Sequence, residues 1–141
     1  MNYDDILTGW RQCKNRFAKR RLDTACSVQH EFRGKQYGHP STYAFVRFEC
    51  APAEELAFEM RAVWPAQLGT AYCRLLHDAM SAAIVDVLVA ADEAHVGCAL
   101  ICAEIKWDEV ASSERAFYLA TSAAMTALRE QQKWSLMLRG K

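Results

Sequence analysis

The sequence predicts an α/β (α+β) fold, a two-layer sandwich in one domain, and three observations predict it. Stretches near residues 43–50 and 56–62 alternate apolar and polar side chains with the period of two expected of strands. Stretches near 70–91 and beyond 112 carry apolar residues at helical spacing. The second of these has an inner face of small residues, including Ala116, Ala120, Ala123, Ala124 and Ala127, which lets a helix lie close to a sheet.

The elements follow in order. Residues 3–20 read as a helix, with Asp4 and Asp5 at its N-terminus and Ile6, Trp10, Cys13 and Phe17 on one face. Its other face is basic, and packing of the apolar stripe on its own domain is expected. Asp23 to Phe32 reads as a strand, and Arg33 to Pro40, with two glycines and a proline, as a loop. In the next strand Ala44, Val46, Phe48 and Cys50 share one side, and Tyr43, Phe45, Arg47 and Glu49 the other. Ala51-Pro52-Ala53 breaks it, and Leu56, Phe58, Met60 and Ala62 mark a third strand. Two short strands about a Pro-containing turn suggest a hairpin. A helix over 70–91 follows, with Leu75, Leu76, Met80, Ala83, Ile84, Val87 and Leu88 inward. Ala94–Lys106 is apolar enough for a buried central strand, and the last helix should start at Ser112 or Ser113, either able to cap it. The expected division is a basic amphipathic helix, 1–22, packed on a domain formed by 23–141.

Charge is segregated. The chain has 141 residues and 17 basic against 17 acidic side chains, a net charge of zero. Residues 1–47 nevertheless sum to +5, residues 48–114 to −9 and residues 115–141 to +4. The densest basic run is Arg11, Lys14, Arg16, Lys19, Arg20 and Arg21, with no acid between them. Such asymmetry says more about partners than the total does, although a solvated charged face is its plain explanation. Disordered, collagen-like and supercharged classes are excluded, and no apolar run approaches a membrane span. The acidic start lacks the layout of a signal peptide, so a cytoplasmic chain with reduced cysteines is expected.

Motifs for nucleotide binding and serine hydrolysis are absent: no phosphate-cradling Gly-rich loop, dinucleotide turn or nucleophile elbow occurs. Cys73 and His77 share a helix face, and His95, Cys98 and Cys102 lie on the following strand, a mixture zinc would accept. No Cys-x-x-Cys knuckle accompanies them, so core thiols are the expectation, with neither metal, cofactor nor catalytic residue. The Arg33–His39 loop is more distinctive. It offers two cations, an amide, a tyrosine ring and an imidazole between glycines, suited to phosphates and unpaired bases. An ordinary polar hairpin loop is the alternative.

Arg33-Gly34-Lys35-Gln36-Tyr37-Gly38-His39 resembles the Arg-Gly-Gln-Tyr-Gly-His loop of domain IV of translation elongation factor G, with one lysine inserted. The stretch from Asp108 to Ala120 resembles that domain's His-Asp-Val-Asp-Ser-Ser-Glu-Leu-Ala-Phe-Lys-Leu-Ala, at the expected separation. The likeness covers residues 24–131. It implies a ribosomal protein S5 domain 2-like fold, strand-strand-strand-helix-strand-helix, whose two tip loops meet and contact RNA in the ribosome. Carried over, Arg33, Gly34, Lys35, Gln36, Tyr37, Gly38 and His39 form one tip loop, and Trp107 and Asp108 lie in the other. Asp108 stands where the family has a histidine, and Asp108-Glu109 makes this loop more negative. The GTP-hydrolysing part of the factor has no counterpart in this sequence.

Two functions compete. One is a non-enzymatic binder of ribosome or structured RNA that uses the tip loops and the basic residues 11–21. The other is a protein-interaction or self-associating module, its basic arm meeting the acidic middle of a second copy.

Overall fold

The structure, a computed structural model, describes residues 18–36, 39–90 and 93–137, with 35, 36 and 39–41 described by backbone alone. Along the chain run β1 (Lys19–Leu22), β2 (Cys26–Gln36), β3 (His39–Pro52), β4 (Ala57–Met60), α1 (Thr70–Ile84), β5 (Ala94–Lys106), α2 (Glu114–Gln131) and β6 (Trp134–Leu136). A π-helical turn, Val85–Val89, continues α1. The strands form a six-stranded sheet ordered β2-β3-β5-β1-β6, with β4 beside β5.

The thirteen-residue β5 organises this sheet. Its start pairs in parallel with β1, Arg21 facing Gly97. The remainder lies between antiparallel β3 and parallel β4, with Phe48 and Met60 both in register with Cys102. Ala94, Val96, Cys98, Leu100 and Cys102 face the core; past an irregularity opposite Arg47 and Phe48 the inward side chains become Ile105 and Trp107. One inserted residue thus exchanges the two faces of the strand.

Both helices cover one sheet face. Leu76, Met80, Ile84 and Leu88 from the first and Phe117, Ala120, Ala124 and Leu128 from the second meet Val46, Phe48 and Leu100 in a fully buried core. α1 is entered from the end of β4 and leads to the start of β5, so both helices begin at the end where the β2–β3 hairpin turns, here the tip. β1, β6 and the helix C-termini make the opposite end, the base. There the π turn presents the Val87 carbonyl to Arg129 Nη1 at 2.9 Å.

The two-layer α/β sandwich expected from the sequence is present, with four local corrections. The strands expected around Pro52 do not pair: β5 inserts between β3 and β4. Pro52 has no N–H to donate, and Ala53 N bonds to Gly97 O at 3.2 Å, which carries the chain across β5. Lys19 and Arg20 are strand, not the end of a helix, because β1 is held between β5 and β6; the rest of that expected helix lies outside the described residues. Leu75 is 47% exposed rather than inward. β6 was not expected.

Candidate nucleic-acid interface

The tip is assembled from two pieces distant in sequence. Tyr43 N donates to Ala111 O at 3.1 Å, and Ser112 Oγ donates to Tyr43 O at 2.7 Å, fastening the β5–α2 loop to the hairpin. Asp108 shapes that loop. Its Oδ1 accepts the N–H groups of Val110 and Ala111, both at 2.9 Å, while its own N–H bonds to Ser112 Oγ at 2.8 Å. A carboxylate is the strongest acceptor a turn can offer, so Asp108 has a structural part in this loop. Ser113 then caps α2, its side chain accepting from Ala116 N at 3.2 Å.

The hairpin is longer than the sequence suggested. The expected loop from Arg33 is strand as far as Gln36, pairing back to His39 across a register shift after Gly34. Tyr37 and Gly38 lie outside the described residues, as do the side chains of Lys35, Gln36 and His39. Gly34 does not open backbone to a ligand here. A Cβ on it would stand 3.1 Å from Phe32 Cε1 and 3.2 Å from Thr42 Cβ, so the phenylalanine ring occupies its place.

Arg33 is two-thirds exposed and held from two sides: its Nε meets Glu31 Oε1 at 2.8 Å and its guanidinium stands 5.1 Å from the Tyr43 ring centroid. Tyr43 Oη donates to the other Glu31 oxygen at 3.0 Å. The Arg33 bond, then the Tyr43 bond, hold the Glu31 carboxyl below the usual carboxylate range. Burial, then Glu31, push the Tyr43 hydroxyl up. On the same outer face Lys106 Nζ lies 4.7 Å from the Phe45 ring centroid.

Trp107 is part of the roof of the core instead of a free loop aromatic. It stacks on Phe117 at 5.8 Å and meets Trp64 and Tyr72 edge-on at 6.4 and 6.3 Å. Gln67 Nε2 reaches Glu109 Oε1 at 2.6 Å, so the segment entering α1 also joins the tip. Neither Gln67 nor the Glu31–Tyr43 pair was singled out from sequence. The outward parity of Glu31 and Tyr43 was the available signal.

The basic arm divides. Arg11, Lys14 and Arg16 lie outside the described residues. Arg20 forms a two-bond pair with Glu93, both at 2.9 Å, and Arg21 reaches Glu54 at 3.2 Å. Lys19 sits beside them in β1, opposite Ala94 at the start of β5 and so at the base.

Of the cysteines and histidines considered from sequence, Cys98, Cys102, His77 and His95 are engaged in packing. Burial pushes the Cys98 and Cys102 thiols up to about 12 and raises Cys26 and Cys50 as well, so they stay protonated. His77 is buried against Phe58, ring centroids 4.8 Å apart, and His95 meets Trp134 edge-on at 4.8 Å. Among the described residues no three His, Cys, Asp or Glu side chains are placed to hold a metal. No helix among them is long and apolar enough to cross a membrane.

No protein-family model and no curated protein matches the chain. Among solved structures it is similar to the crystal structure of ttk003000868 from Thermus thermophilus, at 23% identity and a TM-score of 0.66. The match covers 84% of this chain and 18% of that one. The similarity therefore shows a shared fold, occupying under a fifth of a longer chain in the bacterial protein.

Proposed function

We propose that this chain is a non-enzymatic binder of structured RNA, the ribosome foremost, similar to domain IV of translation elongation factor G and acting through its tip. One observation carries the reading: the hairpin that bears the Arg33–His39 stretch and the loop that bears the Asp108–Ala120 stretch are fastened at one end, through Tyr43, the cross-strand neighbour of Arg33, bonded to Ala111 and Ser112. Both helix N-termini point there, and that of α1, at Gly69, has neither a side-chain cap nor an acid in its first turn. Helix N-termini favour phosphate over a cation. Arg33 and Lys35 are the proposed phosphate contacts, with Gln36, Tyr37 and His39 against unpaired bases. Trp107 and Asp108 complete the proposed tip, Asp108 with its Oδ1 bonded into the loop and its charge set against phosphate.

The test is anisotropy of a fluorescent RNA hairpin, and of purified ribosomes by co-sedimentation, across ionic strength. Affinity should fall steeply with salt, and R33A and K35A should each lower the slope by about one. Absence of binding at low salt would defeat the proposal. The protein-interaction reading has support of its own. Arg20, Arg21, Arg33, Arg47, Arg61 and Arg129 all have a glutamate partner within the chain, which subtracts from the cationic surface that RNA would meet.

A further inference from the structure

β2 lies at the edge of the sheet, eleven residues long and free of proline. β3 takes one side of it, and among the described residues no strand takes the other. Its outward N–H and C=O groups are a template for an added strand. The side chains decide which strand fits. Glu31 and Arg33 stand two apart on the outer face, with 38% and 67% of their side chains exposed. We propose that two copies of this chain pair antiparallel through β2 about a twofold axis at Phe32.

In that register each Glu31 faces Arg33 of the second copy, and the two internal ion pairs become a ring of four alternating charges. Phe32 meets its own counterpart on the inner face, and His30 faces Gly34, beside which the Phe32 ring lies. Other registers lose this match. An axis at Glu31 or at Arg33 sets like charges opposite, and an axis at His30 sets Arg33 against Ser27 and Glu31 against Gln29. The charges that protect this edge from indiscriminate pairing thus leave one self-complementary solution. Because β2 runs toward the tip, the two tips would point in opposite directions and stay open. The inference does not rest on RNA binding, although both readings use Arg33.

Sedimentation velocity of the full chain over a range of concentrations tests it. The wild-type protein should pass from monomer to dimer, and more readily at low salt. E31R should be monomeric, since it sets four cations together, and E31R/R33E should restore the dimer. A wild-type chain that stays monomeric at its highest soluble concentration overturns the proposal, as does a folded E31R that still dimerises or a folded E31R/R33E that does not. Should the variants fail to fold, hydrogen exchange on the wild-type chain decides. Alternate β2 amides must gain protection with concentration while β6 amides do not; equal or absent gains overturn the proposal.

Discussion

The two ends of the sandwich are built on different principles. At the tip, short polar side chains fasten backbone to backbone: Asp108, Ser112 and Ser113 fix one loop and tie it to β3 over a roof of Trp64, Trp107 and Phe117. At the base the fastening is strand pairing between the described ends of the chain, β1 and β6, helped by the Arg20–Glu93 ion pair. Exposed ion pairs are weak, so the base depends on backbone fit. The tip holds a set shape through local bonds that can be altered without touching the sheet. The base cannot be altered so cheaply.

Gly97 is the place to break the base. A Cβ there would stand 2.5 Å from both Cα and Cβ of Arg21, so β1 must move away from β5. Gly97→Ala should cost about 1–3 kcal/mol, as other overpacked sites do. The loss is to be read as a lower midpoint in urea denaturation. Hydrogen exchange should show β1 and β6 amides losing protection first and Tyr43 N last. Uniform loss would mean that tip and base open as one unit.

Asp108 separates structure from charge at the tip. Asp108→Ala removes the acceptor for two loop N–H groups and should cost about 1 kcal/mol, comparable with losing a helix cap. Asp108→Asn keeps an acceptor at Oδ1 and removes the charge. If the tip meets phosphate, the asparagine variant should bind an RNA hairpin more tightly than wild type at low salt, and the alanine variant should gain less. Equal affinities across the three proteins would place the binding surface elsewhere.

That contrast also explains what the sequence disclosed. Period-two alternation in Tyr43–Cys50 and helical spacing after Thr70 depend on near neighbours, and those elements appeared where expected. The Ser113 cap was legible for the same reason, since a cap and its helix are contiguous. β1 and β6 were not legible: Lys19–Leu22 and Trp134–Leu136 are too short to show a period, and each is a strand because of a partner far away in sequence. Trp107 misled because an irregularity in β5 turned it inward, and Gly34 because its open side is filled by Phe32 from its own strand. At the tip, sequence named the loops that meet but not the bonds that join them.

The smallest expected effect is a pH response confined to the base. His95 is half-buried; burial, first of all, lowers its pKa from the usual histidine value, against the Glu93 carbonyl, which favours the charged ring at 3.1 Å from Nδ1. Arg129 and Arg20 add to the lowering. Between the depressed native pKa and the unfolded one, only the unfolded chain binds the proton, so native stability falls as pH drops from about 6.5 through the native value. Above that window both states are neutral and the residue contributes no pH dependence. The imidazolium would lie against Trp134, the first residue of β6, so the protection of β6 amides relative to their intrinsic exchange should fall on acidification while that of Ala111 and Tyr43 stays level. Glu31, held low by Arg33, works at the tip over a more acidic range: its stabilisation is complete above the unfolded glutamate pKa and lost only as pH falls through the depressed native one. Between about pH 7 and 5.5, then, acid should loosen the base alone. A His95→Gln chain should lose that response, and tip amides that lose protection over the same interval would show the two ends to be coupled.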